Sequence, residues 1–391
     1  MRKLLLITLA AAILLPLLVP ADADAIPAFA RRHKLSCTTC HDPFPRLKPF
    51  GDEYAGNGFY LPEDDPDRDY VQAGDDEMRI LRTFPLAVRM DAQVMFEEDN
   101  SRAEWDLQTP WGIKLLSGGT LARNVGYYFY FYMSEHGEVA GAEDAYIHFN
   151  DLFGQPLDIM VGQFQTSDPL MKRELRLTYE DYQIYKQRIG ASTTNLAYDR
   201  GFLVSYDIAA SKTGLIGMVV NGNGIPESEN GVYDQDDTKN LAGRLTQDIG
   251  EVGMLGGFYY TGEEMLEHGE NEVDYWGVDG TVTVDRFALT AQYLLREDSL
   301  PLGDVVDIET EGIVAELIFA PDYDRSTHYF TVLYNRVDSD LDAYDYESIT
   351  GNATYLLARN LRLNLEYSRI LGEGAEDIDY GRASVGVVSA F

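Results

Sequence analysis

Cysteine is nearly missing from this chain: there are two, Cys37 and Cys40, among 391 residues. No disulfide framework can staple the long stretch that follows them, so its stability has to come from elsewhere. Positive charge is scarce too, with 31 Lys and Arg against 65 Asp and Glu and a formal net charge of -34. That balance argues against a nucleic-acid binder, because such a surface repels phosphate. Long apolar runs are confined to Leu4 to Val19, and no later window approaches the roughly 18 residues that a membrane-crossing helix needs. Ser/His/Asp arrangements, glycine-rich phosphate loops and a second metal motif of useful spacing are lacking. Disorder is excluded in turn, since 45% hydrophobic residues, with 26 Tyr and 17 Phe, are too many for an unfolded acidic chain.

What is present begins like an export signal. Arg2 and Lys3 precede the apolar run, and the small residues Ala21 to Ala25 follow it, so residues 1–25 are expected to be a signal peptide cleaved after Ala25. A retained anchor is the alternative, and Pro16 and Pro20 argue against it. Next comes Cys37-Thr38-Thr39-Cys40-His41, the attachment motif for a c-type haem. Its spacing lets two thiols reach the two vinyl groups while the adjacent imidazole of His41 serves as proximal iron ligand. A simple vicinal disulfide or a chance C-x-x-C is the competing reading, and zinc would need two more ligands nearby. Residues 26–81 form the expected monohaem cytochrome segment, too short and too rich in Asp, Pro and Gly to enclose a haem alone. Something else must cover it. For the distal ligand Met78 comes first and His33 second, with His148 and His328 near the expected inner ends of strands; Met would raise the potential and a second His would lower it.

From there to the C-terminus, residues 82–391, the pattern changes to period-two alternation in segments of about ten residues. Leu361, Leu363, Leu365 and Tyr367 alternate with Arg362, Asn364, Glu366 and Ser368, giving one apolar and one polar face. The breaks between segments fall into two classes that take turns. Seven are tight, among them Ser117-Gly118-Gly119-Thr120 and Ala358-Arg359-Asn360; eight are longer and mostly acidic, among them residues 166–198 and 263–272. Seven short turns and eight long loops imply sixteen strands. An even count with short turns on one side is the pattern of a transmembrane outer-membrane β-barrel, in which closure leaves no unpaired edge in lipid. The competing reading is a soluble multi-sheet β protein.

The loop at 166–198 carries Lys172, Arg173, Arg176, Lys186 and Arg188 in an otherwise acidic protein, and its mixed-charge stretch has helical potential. Folding inward against acidic lumen walls would explain the reversal of sign; a solvated helical face would explain it as well. Other long loops cluster carboxylates, such as Glu227, Glu229, Asp234, Asp236 and Asp237, which concentrate cations and suit hard divalent metals. Solubility of the outer surface is the plainer account of the same residues.

The order Ile26 to Arg31, Cys37, Cys40 and His41, Phe44-Pro45, Leu47, Phe50-Gly51 and Asn57-Gly58, followed by a barrel, resembles the fused monohaem cytochrome-porins of the bacterial outer membrane. Their best-known members are iron oxidases of iron-oxidising bacteria. The similarity is at motif level over residues 26–60 and architectural beyond them. It departs at Arg32-His33-Lys34, where that family typically has a Gln-Thr-Gly-like stretch, which points toward an anaerobic or metal-reducing relative. The resemblance implies one covalent haem c at the periplasmic mouth of the barrel. It also implies electron exchange between an extracellular partner, such as iron(II) or a multihaem cytochrome, and a periplasmic c-type cytochrome. The alternative function is a diffusion porin for cationic or neutral solutes in which haem acts as structural plug or redox gate.

Overall fold

The computed structural model describes residues 28–61, 70–71, 74–75, 80–81, 84–98, 105–167, 171–250, 252–303, 307–375 and 378–391. The expected signal peptide and Met78 lie outside the described residues. Three short helices come first, α1 (Ala28–His33), α2 (Cys37–Cys40) and α3 (Pro49–Gly56), then a two-residue antiparallel pair, Tyr70–Val71 with Ile80–Leu81. Sixteen longer strands follow. They are β1 (Leu86–Glu97), β2 (Trp105–Ala122), β3 (Val125–Glu135), β4 (Gly141–Phe149), β5 (Leu157–Phe164), β6 (Asp199–Ile208), β7 (Thr213–Val220) and β8 (Asn240–Ile249). The second half comprises β9 (Gly253–Leu266), β10 (Gly269–Val284), β11 (Phe287–Asp298), β12 (Ile308–Phe319), β13 (His328–Ser339), β14 (Tyr346–Ala358), β15 (Leu361–Glu373) and β16 (Tyr380–Ala390). Each pairs antiparallel with its sequence neighbour, and β16 pairs with β1 from Arg382↔Glu97 to Ala390↔Arg89, closing the barrel.

Alternation gives the wall two unlike faces. On β15, Leu365 and Tyr367 point outward, half exposed, while Arg362, Asn364, Glu366 and Ser368 are buried on the inside. The same division recurs on β8, where Leu241 and Leu245 face out and Arg244 faces in. Polar-in and apolar-out is the arrangement of a barrel whose outer solvent is hydrocarbon. Aromatic side chains edge the apolar belt: Phe287, Phe319 and Phe330 stack near the short turns at centroid spacings of 4.8 and 6.4 Å, and Trp276 meets Tyr293 higher on the wall at 6.1 Å. The soluble multi-sheet reading is thereby replaced by a single closed barrel.

Three local expectations need correction. The Ser117-Gly118-Gly119-Thr120 turn is strand instead, and β2 runs on to Ala122 before reversing at Arg123-Asn124, with Asn124 at φ 59°. The glycines are there to admit neighbours, since a Cβ on Gly118 would lie 2.9 Å from the Phe29 ring and one on Gly119 would lie 2.3 Å from the Arg32 guanidinium. Residues 263–272 are mostly strand as well: β9 reaches Leu266 and β10 starts at Gly269, leaving Glu267 and His268 as the turn. Finally, the described part of the 166–198 loop holds only two single-turn 3-10 segments, Arg173–Leu175 and Gln183–Lys186, in place of a helix.

Candidate functional site in the barrel mouth

Helix α2 is one turn long and consists of the motif itself. Ser36 starts it by accepting a hydrogen bond from the Thr38 amide, and the His41 amide closes it onto the Cys37 carbonyl at 2.9 Å. One turn brings Cys37 and Cys40 to the same side, both half-buried and not joined to each other. Burial pushes both thiols up from their ordinary range, so they are protonated rather than poised as thiolates. His41 Nδ1 donates to the Pro45 carbonyl at 2.7 Å, and the ring packs edge-on against Phe44. Burial pushes the His41 pKa down, so the ring is neutral with a lone pair on Nε2. A backbone acceptor on one ring nitrogen is how proteins orient an imidazole that ligates a metal through the other. Helix α3 backs the motif closely: a Cβ on Gly51 would lie 2.3 Å from the Cys40 carbonyl oxygen.

The motif does not stand free. Tyr329 donates its hydroxyl to the Phe44 carbonyl at 2.6 Å, and Arg46 donates to Thr290 Oγ1 at 3.0 Å and faces Glu316 at 3.6 Å. Lys48 pairs with Asp324 at 3.2 Å. On the far side Phe59 stacks on Phe29 and leans on Tyr128 of β3, and a Cβ on Gly126 would lie 1.9 Å from the Gly58 oxygen. Residues 28–61 thus reach from β2–β4 across to β11–β15, forming a plug at the short-turn end of the barrel. Cover for the motif comes from this wall. Cys37, His41 and Phe44 face Tyr323, Leu356 and Arg359 across a narrow cleft open to solvent.

These residues fit a covalently attached haem. Two thiols are one turn apart, a neutral imidazole is locked with its free nitrogen available, and an open cleft adjoins both. The enclosed space between these residues is far below what encloses a whole small molecule, so the mouth would cover such a group only in part. Zinc fares worse, because among the described residues no three His, Cys, Asp or Glu side chains gather as a metal site.

The 166–198 loop, third on the long-loop side, folds into the lumen. Leu177, Ile184, Tyr185, Ile189 and Leu196 are fully buried there. Wall carboxylates receive its backbone: Glu366 accepts the Tyr179 and Glu180 amides at 2.8 and 3.0 Å, and Glu264 accepts the Thr193 amide at 2.9 Å. Its own Asp181 gathers three loop cations, Arg173 at 2.6 Å, Lys186 at 3.4 Å and Arg176 at 3.9 Å. Burial pushes the Asp181 carboxyl up, but those cations together overcome it and hold it well below the usual carboxylate range. The sign reversal noted in the sequence is therefore answered partly within the loop. Plug and loop also meet: Tyr182 of the loop donates to Glu316 at 3.5 Å, the same carboxylate that faces Arg46.

Of the other histidines, His33 hydrogen-bonds the Tyr54 hydroxyl through Nε2 at 3.0 Å. His148 is buried against Gly58 with no hydrogen-bond partner on either ring nitrogen, but its strand β4 lies six strands round the wall from β14, which lines the cleft. His328 is exposed on the outer wall; His136 packs on Trp111, and His268 meets the Leu300 carbonyl at 2.9 Å. Sequence reasoning missed Tyr329, Glu316, Glu366 and Arg296. They are polar residues at inward positions of alternating strands, and only the plug and loop packed against them make them special.

Fold and site together define a sixteen-stranded porin-type β-barrel with an internal plug bearing C-x-x-C-H. No protein-family model matches the sequence, and no curated protein matches it. Solved structures do. An anion-selective porin from Comamonas acidovorans aligns at TM-score 0.60 and 11% identity, covering 79% of this chain and 99% of that one. OmpF of Salmonella typhi, in complex with daunomycin, aligns at TM-score 0.54 and 11% identity over 78% and 97%, and OmpT of Vibrio cholerae at 0.52 and 13% over 79% and 99%. At such identity the likeness is one of fold.

Proposed function

We propose that this protein is an outer-membrane electron-transfer barrel carrying one haem c on its plug. The observation that carries the reading is the His41 imidazole, fixed by the Pro45 carbonyl beside Cys37 and Cys40 in a segment packed into the barrel mouth. When bound, haem c supplies a one-electron iron(III)/iron(II) couple. Cys37 and Cys40 would hold the group by thioether bonds, and His41 would offer Nε2 as an iron ligand. Short turns and plug face the periplasm, where a c-type cytochrome exchanges electrons with the partly covered site. The long loops face outward, where iron(II) or a multihaem cytochrome is the partner. Acidic residues at that rim, such as Asp338 at the end of β13 and Asp340 just beyond it, draw cations toward the outer mouth. The test is to mature the full chain with c-type haem, record its Soret band, and add iron(II) to the oxidised protein in detergent. Haem reduction is expected, and a haem that stays oxidised removes iron(II) as donor.

A second reading has its own support in the porin-type wall. In it the barrel is a diffusion channel for cationic or neutral solutes, with the haem plug as stopper or redox gate. Single-channel conductance in planar bilayers separates the two. An electron conduit plugged by residues 28–61 and narrowed by the third loop passes little ionic current, whereas a channel shows steady open-state conductance.

A further inference from the structure

We propose that the barrel wall, through Tyr329 and Arg362, orients the His41 imidazole and so sets the reduction potential of the haem; the inference rests on the haem reading above. The argument follows hydrogen bonds outward from the ring. The acceptor that fixes His41, the Pro45 carbonyl, belongs to a strap of five residues, Asp42 to Arg46, with no helix or strand of its own. One internal bond closes the strap, from the Asp42 amide to the Arg46 carbonyl at 3.0 Å. Apart from the His41 ring, which bonds Pro45 and packs on Phe44, the side chains that hold it belong to the barrel. Tyr329 Oη donates to the Phe44 carbonyl at 2.6 Å, and Arg362 Nη1 donates to the same oxygen at 3.4 Å. Arg46, at the far end of the strap, is held by Thr290 and Glu316.

The two donors are well suited to the task. Tyr329 is wholly buried and Arg362 is 3% exposed, so neither can follow a wandering strap. The acceptor peptide adjoins the residue whose carbonyl binds the imidazole, and a shift of the strap therefore lengthens or bends the Nδ1–H···O bond directly. A strong bond at Nδ1 makes the imidazole more electron-rich and favours iron(III); a weakened one favours iron(II) and raises the potential. Tyr329 and Arg362 are positioning residues in this sense, acting on the iron through His41.

The test compares haem-loaded full-length wild type with Tyr329→Phe, Arg362→Lys and, as control, Tyr334→Phe, whose hydroxyl bonds Glu347 elsewhere on the wall. Lysine keeps the positive charge and loses the planar fork, so a shift in that variant reports position rather than charge. Midpoint potential by optical titration and the low-spin resonance spectrum are the readouts, with heat-modifiable gel mobility to confirm a folded barrel. Poised at the wild-type midpoint, Tyr329→Phe and Arg362→Lys are expected to raise the reduced-to-oxidised ratio by about threefold or more, with Tyr334→Phe unchanged. Should a folded Tyr329→Phe barrel match wild type in ratio and spectrum, the wall has no part in tuning and the inference fails while the haem assignment stands. A wild-type protein with no Soret band overturns the haem assignment and this inference with it.

Discussion

Replacing Arg296 with methionine strikes the point where the inward loop is tied to the wall. The guanidinium is fully buried on β11. It donates to Asp298 through Nε and Nη2 at 2.5 and 2.8 Å, to the loop carbonyls of Gln187 and Thr194 at 2.8 and 2.9 Å, and to Ser192 Oγ at 2.8 Å. Methionine fills similar volume but donates nothing. Two loop carbonyls are then orphaned at about 1–3 kcal/mol each, and Asp298 loses its cation, which for a buried pair broken from one side costs about 3–5 kcal/mol. Only the first part bears on the loop alone. Taking roughly 3 kcal/mol for it, and about 1.4 kcal/mol per factor of ten, the loop's opening constant should rise about a hundredfold. Trypsin reads this, because Lys186 and Arg188 are exposed but sit between the buried Tyr185 and Ile189, so their backbone enters a protease only when the loop is drawn out, and cleavage under slow-protease conditions follows the opened population. Asp298→Asn is the companion variant, since it leaves both loop carbonyls bonded and should open the loop far less. A folded Arg296→Met barrel cut no faster than wild type would refute the reasoning, and show that Glu366, Glu264 and the apolar contacts hold the loop by themselves.

The remaining predictions concern the plug, the haem and acid. Joint Cys37→Ala and Cys40→Ala substitution is expected to abolish haem staining after denaturing electrophoresis, and His41→Ala to retain the stain with a shifted Soret band; a double cysteine variant that still stains contradicts the attachment site. Gly126→Val places a Cβ where only 1.9 Å separates that position from the Gly58 oxygen, so the plug should unseat and bilayer conductance should rise while the barrel stays intact. Unchanged conductance would mean that the plug seats without that contact. For pH the sign comes from Asp181, whose carboxyl is held below its ordinary value in the folded loop. Its stabilisation is complete above the ordinary carboxylate range, near 3.8, and is lost only as pH falls below it. Loop protection from an acid-active protease should therefore be flat from about pH 8 to pH 5 and weaken progressively below about pH 4; loosening already at pH 6 would assign the control to another group.

The strand count was readable because turn chemistry and alternation are local properties of the chain. Turns such as Val284-Asp285-Arg286 and Ala358-Arg359-Asn360 fall where short connections were expected, since the outward apolar set fixes register and a slip of one residue would turn it inward. Gly118-Gly119 misled because two glycines can mean a turn or a close approach, and only the packed Phe29 and Arg32 decide between them. Similarly, Glu264 reads as one more outer carboxylate until its inward position on β9 shows it bonded to Thr193. The C-x-x-C-H spacing was legible as a motif, while the wall residues that face it were not. Tyr329 lies 285 residues from Phe44, and no local pattern marks that partner.

A segment of 34 described residues, 28–61, has too little apolar surface to form a core of its own around a cofactor. Here the missing half of the core is supplied by wall side chains that would otherwise face water, such as Tyr128 against Phe59 and Leu356 beside the motif. The consequence runs in both directions. Contacts that shelter the motif are the same contacts that obstruct the mouth, so loosening them to admit solute would also uncover Cys37, His41 and the strap. A barrel built in this way cannot improve as a solute channel without impairing its site. Conductance and the integrity of the site should therefore change in opposite senses across plug variants such as Gly126→Val, and a variant that conducts freely with an unaltered Soret band and potential would break the link.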